Sequence, residues 1–492
     1  MRILLINPKF PVYQRMPSVP LGLLSIASYL NENGHEAIIF ERSEKGNLTQ
    51  TVKDFKPDII GISAMSFSSS MDAKKVTDEL HARFNCPVVW GGQAASALPD
   101  LIMEKANPDY IIDGEGEITW KEFADTLENG GDISLVNGLI YKRGGKLVKN
   151  PVRPVADLKE FPDIDWTLIN PETYFSTFFN CNKMLYLYAS KGCPANCTFC
   201  SNRHFHQGKN RCRAPEQVMR DILYLTKNCG MDGVYFSDEL WCPNRELRTQ
   251  LCNRLIEENT GIVWGCQMRL GVLNEDDVKL MYKAGCRWIL FGIESATKER
   301  IKSIKKSIDI DIAEETVKWC ESAGITVQAS FIIGFPGETK EEVRRTVEFA
   351  EKINASLTLI NILIPLPNTE ILAEAEAAGV YKFPRTFKKI AEEIENNGGE
   401  IIPVNLSAIK SRDLKVLHFC YQWKAFSRRD SVNGDSFGII KKMASDTFNR
   451  IFRHGLKGFV FGSMVSIRQF CTVFYYSHFF RKTAREYGVK FK

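Results

Sequence analysis

No stretch of this 492-residue chain reaches the roughly 18–20 apolar residues that span a bilayer. The best candidate, 458–480, is interrupted by Arg468 and Gln469. The opening Met1-Arg2-Ile3-Leu4-Leu5-Ile6-Asn7-Pro8 lacks the apolar length and small-residue cleavage site of a signal peptide. Low-complexity tracts and tandem repeats are missing too, which excludes fibrous and solenoid architectures. Hydrophobic residues make up 44% and charged residues 25%, so bulk disorder is excluded, and the length calls for two to three domains. Fourteen cysteines without an export signal are expected as free thiols or metal ligands in the cytoplasm.

The net charge is only +5, but it is unevenly spread: 435–492 holds 11 Lys/Arg against 3 Asp/Glu. Within 437–492 these bases are interleaved with Phe, Ile, Val and Tyr. That suits either a helical cap with a solvated basic side or a peripheral helix on an anionic membrane. A nucleic-acid partner is not expected, because no RNA-binding motif accompanies the charge.

Along 1–130, short β-type runs at 2–6, 36–40, 58–63, 87–91 and 109–112 alternate with amphipathic segments such as 21–33 and 71–84. Such alternation predicts an α/β fold, a doubly wound, flavodoxin-like (Rossmann-like) parallel sheet that binds ligands beyond its strand carboxyl ends. Those ends carry Asn7-Pro8, Ser66 to Ser70, Gly91-Gly92-Gln93 and Gly114-Glu115-Gly116. Arg143-Gly144-Gly145-Lys146 reads as a hairpin turn, and Pro151, Pro154, Pro162 and Pro171 then mark an extended linker. A second series places strands at 185–190, 233–237, 262–267, 287–292, 326–333 and 356–363, with helices such as 214–228, 274–284, 313–323 and 340–353. Six βα steps make a partial (β/α)6 TIM-like barrel, two short of closure. The expected division is 1–140, a linker over 141–182, the barrel over 183–380 and a helical, basic region over 381–492.

Directly after the first strand of the second series stands Lys191-Gly192-Cys193-Pro194-Ala195-Asn196-Cys197-Thr198-Phe199-Cys200. Three thiolates on one short loop suit an iron–sulfur cluster, and three ligands on a four-iron cube leave one iron open for chemistry. A structural zinc with Cys212 or His204 as fourth ligand is the bland alternative, but no second Cys-x-x-Cys unit supports it.

With the motifs that follow in order, this loop resembles radical S-adenosylmethionine (SAM) enzymes carrying an N-terminal cobalamin-binding domain. That group includes B12-dependent methyltransferases and the anaerobic magnesium-protoporphyrin cyclase. The resemblance spans about 1–380 and implies a [4Fe–4S] cluster on Cys193, Cys197 and Cys200, with Phe199 beside the SAM adenine. It implies that Tyr235-Phe236-Ser237-Asp238-Glu239 holds the methionine amino group and that Arg269 meets the carboxylate. Phe291-Gly292-Ile293-Glu294-Ser295 would reach the ribose hydroxyls, and Phe331 to Thr339, with Gly334, would line the adenine. Pro365-Leu366-Pro367-Asn368-Thr369 carries Asn where relatives have Gly. Read without the family, Asp238 and Glu239 could instead cap the next helix, Glu294 could be a surface carboxylate and Arg269 an ion-pair residue.

Asn7-Pro8, Arg15 and Pro20 to Leu30 are similar to the family's first loop and helix, and Gly91 to Gln93 and Asp113 to Glu117 also match its pattern. The resemblance implies cobalamin, with the loop 12–19 under the corrin, Ser66 or Ser68 near the nucleotide tail, and Gly91, Gly92, Gln93, Gly114 and Glu115 along the edge. An Asp-x-His-x-x-Gly loop is missing. Only His35 and His81 fall in the domain, and His35 reads as a helix-end residue, so no protein histidine is expected on cobalt. The implied activity is SAM cleavage to a 5′-deoxyadenosyl radical, followed by methylation of an unactivated carbon. The alternatives are a radical cyclisation, rearrangement or oxidation, or a non-catalytic corrinoid- or zinc-binding protein. The expected partners are a small-molecule substrate, hydrophobic (isoprenoid, lipid or tetrapyrrole) if the basic tail meets a membrane, and an electron donor such as flavodoxin or ferredoxin.

Overall fold

The computed structural model describes residues 1–9, 18–42, 46–178, 181–396, 404–431 and 481–489. Arg15, most of the loop 12–19 and most of the basic segment 437–492 lie outside the described residues. Two compact units emerge: Met1–Gln267 with Leu280–Arg287 and Ile364–Ile402, and Met268–Lys279 with Trp288–Leu363 and Pro403–Lys492.

The first unit begins with β1 (Arg2–Asn7), β2 (Glu36–Glu41), β3 (Ile59–Ser63), β4 (Val88–Gly91), β5 (Tyr110–Ile112), β6 (Leu139–Arg143) and β7 (Lys146–Lys149). Their order across the sheet is β2-β1-β3-β4-β5-β6-β7. The first five are parallel, as the sequence predicts, and β6 and β7 add an antiparallel hairpin across Gly144-Gly145. Successive side chains of a strand point to opposite faces. Leu4, Ile6, Ile60, Ile62 and Trp90 accordingly fill one core, while Ile3, Leu5, Ile59, Val89, Trp120 and Phe123 fill the other. Each such side chain contributes roughly 1.5–3 kcal/mol when fully buried. The helix expected at 71–84 runs Phe67–Arg83, because Ser66 and Ser69 form a reciprocal capping box that starts it earlier.

The same unit continues with β8 (Ser176–Phe178), β9 (Cys181–Leu187), β10 (Ser190–Lys191), β11 (Arg211–Cys212), β12 (Gly233–Phe236) and β13 (Val263–Met268). β8 pairs antiparallel with β9, and β9, β12 and β13 are parallel neighbours in that order. The chain after the barrel also returns to this unit. Leu372, Phe383 and Ile390 pack with Leu98 and Phe67, and Phe387 meets Trp90 edge-on at 6.4 Å.

In the second unit, β14 (Cys286–Glu294), β15 (Thr326–Ile333) and β16 (Leu357–Ile362) are parallel in that order. All six strands expected of the second series therefore form. Among the described residues, no helix is long and apolar enough to cross a membrane.

Candidate active site

β10 and β11 pair antiparallel, Ser190 with Cys212 and Lys191 with Arg211. This two-rung clasp closes a loop containing all three candidate cysteines and a helical turn, Asn202–His206. Cys193, Cys197 and Cys200 are half-buried and none of them is in a disulfide. Gly192 enters the loop with φ +82°, and a Cβ there would lie 2.8 Å from the His206 Cβ and still closer to the Lys209 carbonyl oxygen. Only glycine fits that backbone and that gap. Asn210 Nδ2 donates to the Gly192 carbonyl at 2.7 Å and to that of Leu240 at 3.1 Å, and Ile371 N donates to the Thr198 carbonyl at 3.2 Å. Cys212 is engaged elsewhere: it hydrogen-bonds with Cys242 and reaches Asn210 Oδ1 at 3.6 Å. A loop pinned at both ends, with soft thiolate donors and no competing disulfide among the described residues, suits an iron–sulfur cluster.

The acidic pair after β12 faces back to this loop. Asp238 is 1% exposed and fully engaged. It accepts from Ser190 Oγ at 2.6 Å, from Ala189 N at 3.2 Å and from Ser190 N. Burial pushes its carboxyl up to about 7 against the pull of those hydrogen bonds. Glu239 accepts from Gly192 N at 2.8 Å and lies 3.2 Å from His206 Nε2. Burial would raise Glu239, but the hydrogen bond and charge of His206 outweigh it and hold the carboxyl low. Neither caps the following helix, Arg245–Glu257, which is capped by Asn244.

Sequence reasoning did not single out His206. Its Nδ1 lies 2.7 Å from Glu115 Oε1 and its Nε2 faces Glu239, so both ring nitrogens meet carboxylates. Burial alone would lower its pKa, yet the two carboxylates raise it to about 9 and the ring stands as imidazolium. Arg211 grips both oxygens of Glu115 and donates to the Ala156 carbonyl at 2.8 Å. Against the cost of burial, His206 and Arg211 bring Glu115 down to about 2. Alongside, Lys191 pairs with Glu117 at 2.6 Å, and Ser25 Oγ donates to the same Glu117 oxygen at 2.7 Å. The only advance signal was the local Lys191-Gly192 and Glu115-Gly116-Glu117 patterns; their pairing depends on contacts 74 to 96 residues apart.

At the carboxyl edge of the first sheet, Ser66 caps its helix and Ser68, the helix's second residue, lies half-buried. Gly92 has φ +100°, and a Cβ there would meet the Ala64 carbonyl carbon and oxygen at 2.9 Å. Gly91 and Gly114 have nothing within 4 Å of an added Cβ. Gln93 donates to Asn202 Oδ1 at 3.4 Å, and Gly114 N donates to Ser96 Oγ at 2.9 Å. Among the described residues, small side chains thus leave room beyond two positions of this sheet's carboxyl edge, where such sheets bind ligands. Both domain histidines are committed at the opposite, amino edge. His35 pairs with Asp125 at 3.1 Å and contacts the Met1 amine, so its ring does more than end a helix, and His81 pairs with Asp109 at 3.1 Å.

Four of the expected SAM residues belong to the second unit. Arg269 donates to the Ser307 carbonyl rather than to a carboxylate, and its Nε is buried with no hydrogen-bond partner among the described residues. Glu294 is not a surface carboxylate: it is 6% exposed and pairs with Lys306 at 2.5 Å. Its backbone is left-handed, φ +70°, where β14 shifts register against β15. Such a conformation in a non-glycine residue costs on the order of 1–3 kcal/mol and clusters at functional sites. Ser295 is fully buried and its hydroxyl meets Thr346 Oγ1 at 3.4 Å. Gly334 N donates to the buried Glu338 at 2.6 Å, which fixes the turn after β15. Phe199 is half-buried in the cysteine loop of the first unit.

Two family profiles match the chain, the radical SAM superfamily over 187–350 and a B12 binding domain over 15–124. It is 32% identical to an uncharacterised methyltransferase of Pyrococcus horikoshii, over 72% of this chain and 77% of that one. It is 26% identical to the anaerobic magnesium-protoporphyrin IX monomethyl ester cyclase of Rubrivivax gelatinosus, over 76% of this chain and 70% of the relative. Its structure is similar to that of the radical SAM methyltransferase TsrM from Kitasatospora setae, solved with cobalamin and a [4Fe–4S] cluster bound. The TM-score is 0.65 at 19% identity, covering 78% of this chain and 76% of that one. The likeness shows the fold: a Rossmann-like domain ahead of a partial (β/α)6 barrel.

Proposed function

We propose that this chain, which belongs to the radical SAM superfamily and carries a B12-binding domain, methylates an unactivated carbon of a small molecule in a cobalamin-dependent reaction. The observation that carries this reading is the clasped three-thiol loop set against the Asp238–Glu239 pair, in the same compact unit as an open, glycine-lined sheet edge. Held by the three thiols of this loop, a [4Fe–4S] cluster would supply the one electron that reductive cleavage of SAM needs, and a cobalamin at the sheet edge would supply the methyl group.

Cys193, Cys197 and Cys200 hold the cluster, and Phe199 stands beside the adenine. Glu239, held low and aimed at the loop, meets the SAM ammonium. Asp238 is already committed to Ala189 and Ser190, so its part is to fix the backbone that leads into the loop. Arg269 offers its buried Nε–H to the SAM carboxylate, and Glu294, preset by its left-handed backbone, takes the ribose hydroxyls. Ser295, next to Glu294 and held by Thr346, completes the ribose side, and Gly334 shapes the adenine wall. Ser66, Ser68, Gly91, Gly92, Gln93, Gly114 and Glu115 would line a bound corrinoid, while His35 and His81 are paired at the amino edge of the same sheet.

The division at 140, 182 and 380 belongs to this reading. So do a cytoplasmic location with peripheral membrane contact through 437–492, a flavodoxin or ferredoxin donor, and a hydrophobic substrate such as an isoprenoid, lipid or tetrapyrrole. A second reading, radical cyclisation without methyl transfer, is favoured by the likeness to the magnesium-protoporphyrin cyclase. Anaerobic reconstitution with iron, sulfide and cobalamin tests the enzyme. Binding of about four irons per chain and release of 5′-deoxyadenosine support it, whereas a colourless zinc protein overturns it. Methyl-labelled SAM then separates the readings: label in product supports methylation, and unlabelled product supports cyclisation.

A further inference from the structure

Glu115 leaves the carboxyl edge of the first sheet just after β5, and Glu239 closes β12 beside the cysteine loop. Between them stands one buried ring. His206 meets Glu115 Oε1 at 2.7 Å and Glu239 Oε1 at 3.2 Å, and Glu239 in turn accepts the Gly192 amide at 2.8 Å, one residue before Cys193. The chain from sheet edge to loop is therefore continuous: Glu115, His206, Glu239, Gly192. Lys191 bound to Glu117 makes a second, shorter strut between the same two loops. Three cations (Lys191, His206, Arg211) face three carboxylates (Glu115, Glu117, Glu239) in direct ion pairs, with the buried Asp238 next to Glu239. Removing one member leaves a partner buried and uncompensated, so such a network acts as a unit.

We propose that His206 is a positioning residue that couples the two cofactor sites, through Glu115 to the corrinoid edge and through Glu239 to the SAM pocket at the cysteine loop. The proposal rests on the functional reading above. Displacing the Glu115 loop on one side shifts Glu239 and the Gly192 amide on the other, because the imidazolium holds both carboxylates at fixed separation. A glutamine cannot stand in for it, having one donor end and no charge.

The test uses the full chain, reconstituted anaerobically, with the SAM-induced change in the spin-resonance spectrum of the reduced cluster as a binding readout. SAM affinity is measured with and without hydroxocobalamin. In the wild-type chain the two affinities should differ at least about fivefold, the lower range of allosteric coupling. In His206→Gln the ratio should fall below about twofold while iron content is kept. Glu115→Gln, which removes the carboxylate shared by His206 and Arg211, should lose the same coupling, and the double variant should lose no more than either single one. Equal affinities in the wild type, or a wild-type ratio that survives in both variants, overturns the proposal alone. A wild-type chain that takes up neither four-iron cluster nor cobalamin overturns the functional reading and the proposal with it. Should His206→Gln fail to fold, Glu115→Gln decides by the same ratio.

Discussion

The carboxyl edge of the first sheet and the loop after β9 belong to one compact unit, yet they are made of different material. The sheet edge offers Ser66, Gly91, Gly92 and Gly114, residues with little or no side chain, and leaves space beyond two of its glycines. The cysteine loop is crowded: Lys191, His206, Arg211, Glu117 and Glu239 are packed around it, and Gly192 fills its gap completely. An edge of backbone and small groups selects a ligand by shape and can take a large one. A loop ringed by buried charge orients a small polar ligand, and it tolerates far less change, since each buried ion depends on its partner. Glu115 stands where the two meet.

The sharpest way to break this contrast is at the thiols. Cys197→Ala should reduce SAM cleavage to background even in folded protein, read as 5′-deoxyadenosine by chromatography, and retained cleavage would sink the assignment. The next largest effect concerns pH. Burial would lower the His206 pKa, but Glu115 and Glu239 raise it from 6.5 to about 9, so the folded state holds the proton more tightly than the unfolded chain. Its stabilisation, about 3 kcal/mol by linkage, is complete below pH 6.5 and is lost as pH rises through 9. Glu115, drawn down to about 2, behaves in the opposite sense: its share is complete above 4.5 and is lost as pH falls through 2. Urea unfolding of the full chain should thus show a decline between pH 6.5 and 9 that is absent in His206→Gln.

The glycines allow the two regions to be compared directly. Gly192→Ala should destabilise by roughly 2–3 kcal/mol, since a left-handed backbone and a steric clash add. Gly114→Ala has φ +84° but open space, and should cost only the backbone share, about 1–2 kcal/mol. Equal losses in urea titrations would erase the distinction between filled and open edges. The smallest effect is expected at Ser66→Ala, which breaks one capping box for about 1 kcal/mol and should leave the iron content unchanged.

Local pattern carried a good deal of this. The apolar runs marked β1 to β5 and the six strands of the second series to within a few residues, because strands buried on both faces must be continuously hydrophobic. The three cysteines and Gly192 stood out for the same reason, as their chemistry is legible in a ten-residue window. What was hidden depends on distant partners. Nothing near His206 announces Glu115, 91 positions earlier, and nothing near Asp238 says that Ala189 and Ser190 will occupy its carboxylate. The polar run at 66–70 concealed the start of a helix, since serine favours caps and loops alike. Phe383 and Phe387 gave no hint that the chain beyond the barrel would pack on Phe67 and Trp90 of the first domain.

The hairpin across Gly144-Gly145 has a consequence for life in a crowded solution. An open parallel sheet ending at β5 would expose a row of unpaired amides to any passing chain. Instead β6 and β7 turn back, and the last strand is only four residues long, Lys146-Leu147-Val148-Lys149, with an exposed lysine at each end. A foreign strand seeking to extend the sheet would have to settle between two ammonium groups along a very short ladder. The hairpin therefore acts as a guard against strand-to-strand aggregation, on a domain whose ligand edge must stay open.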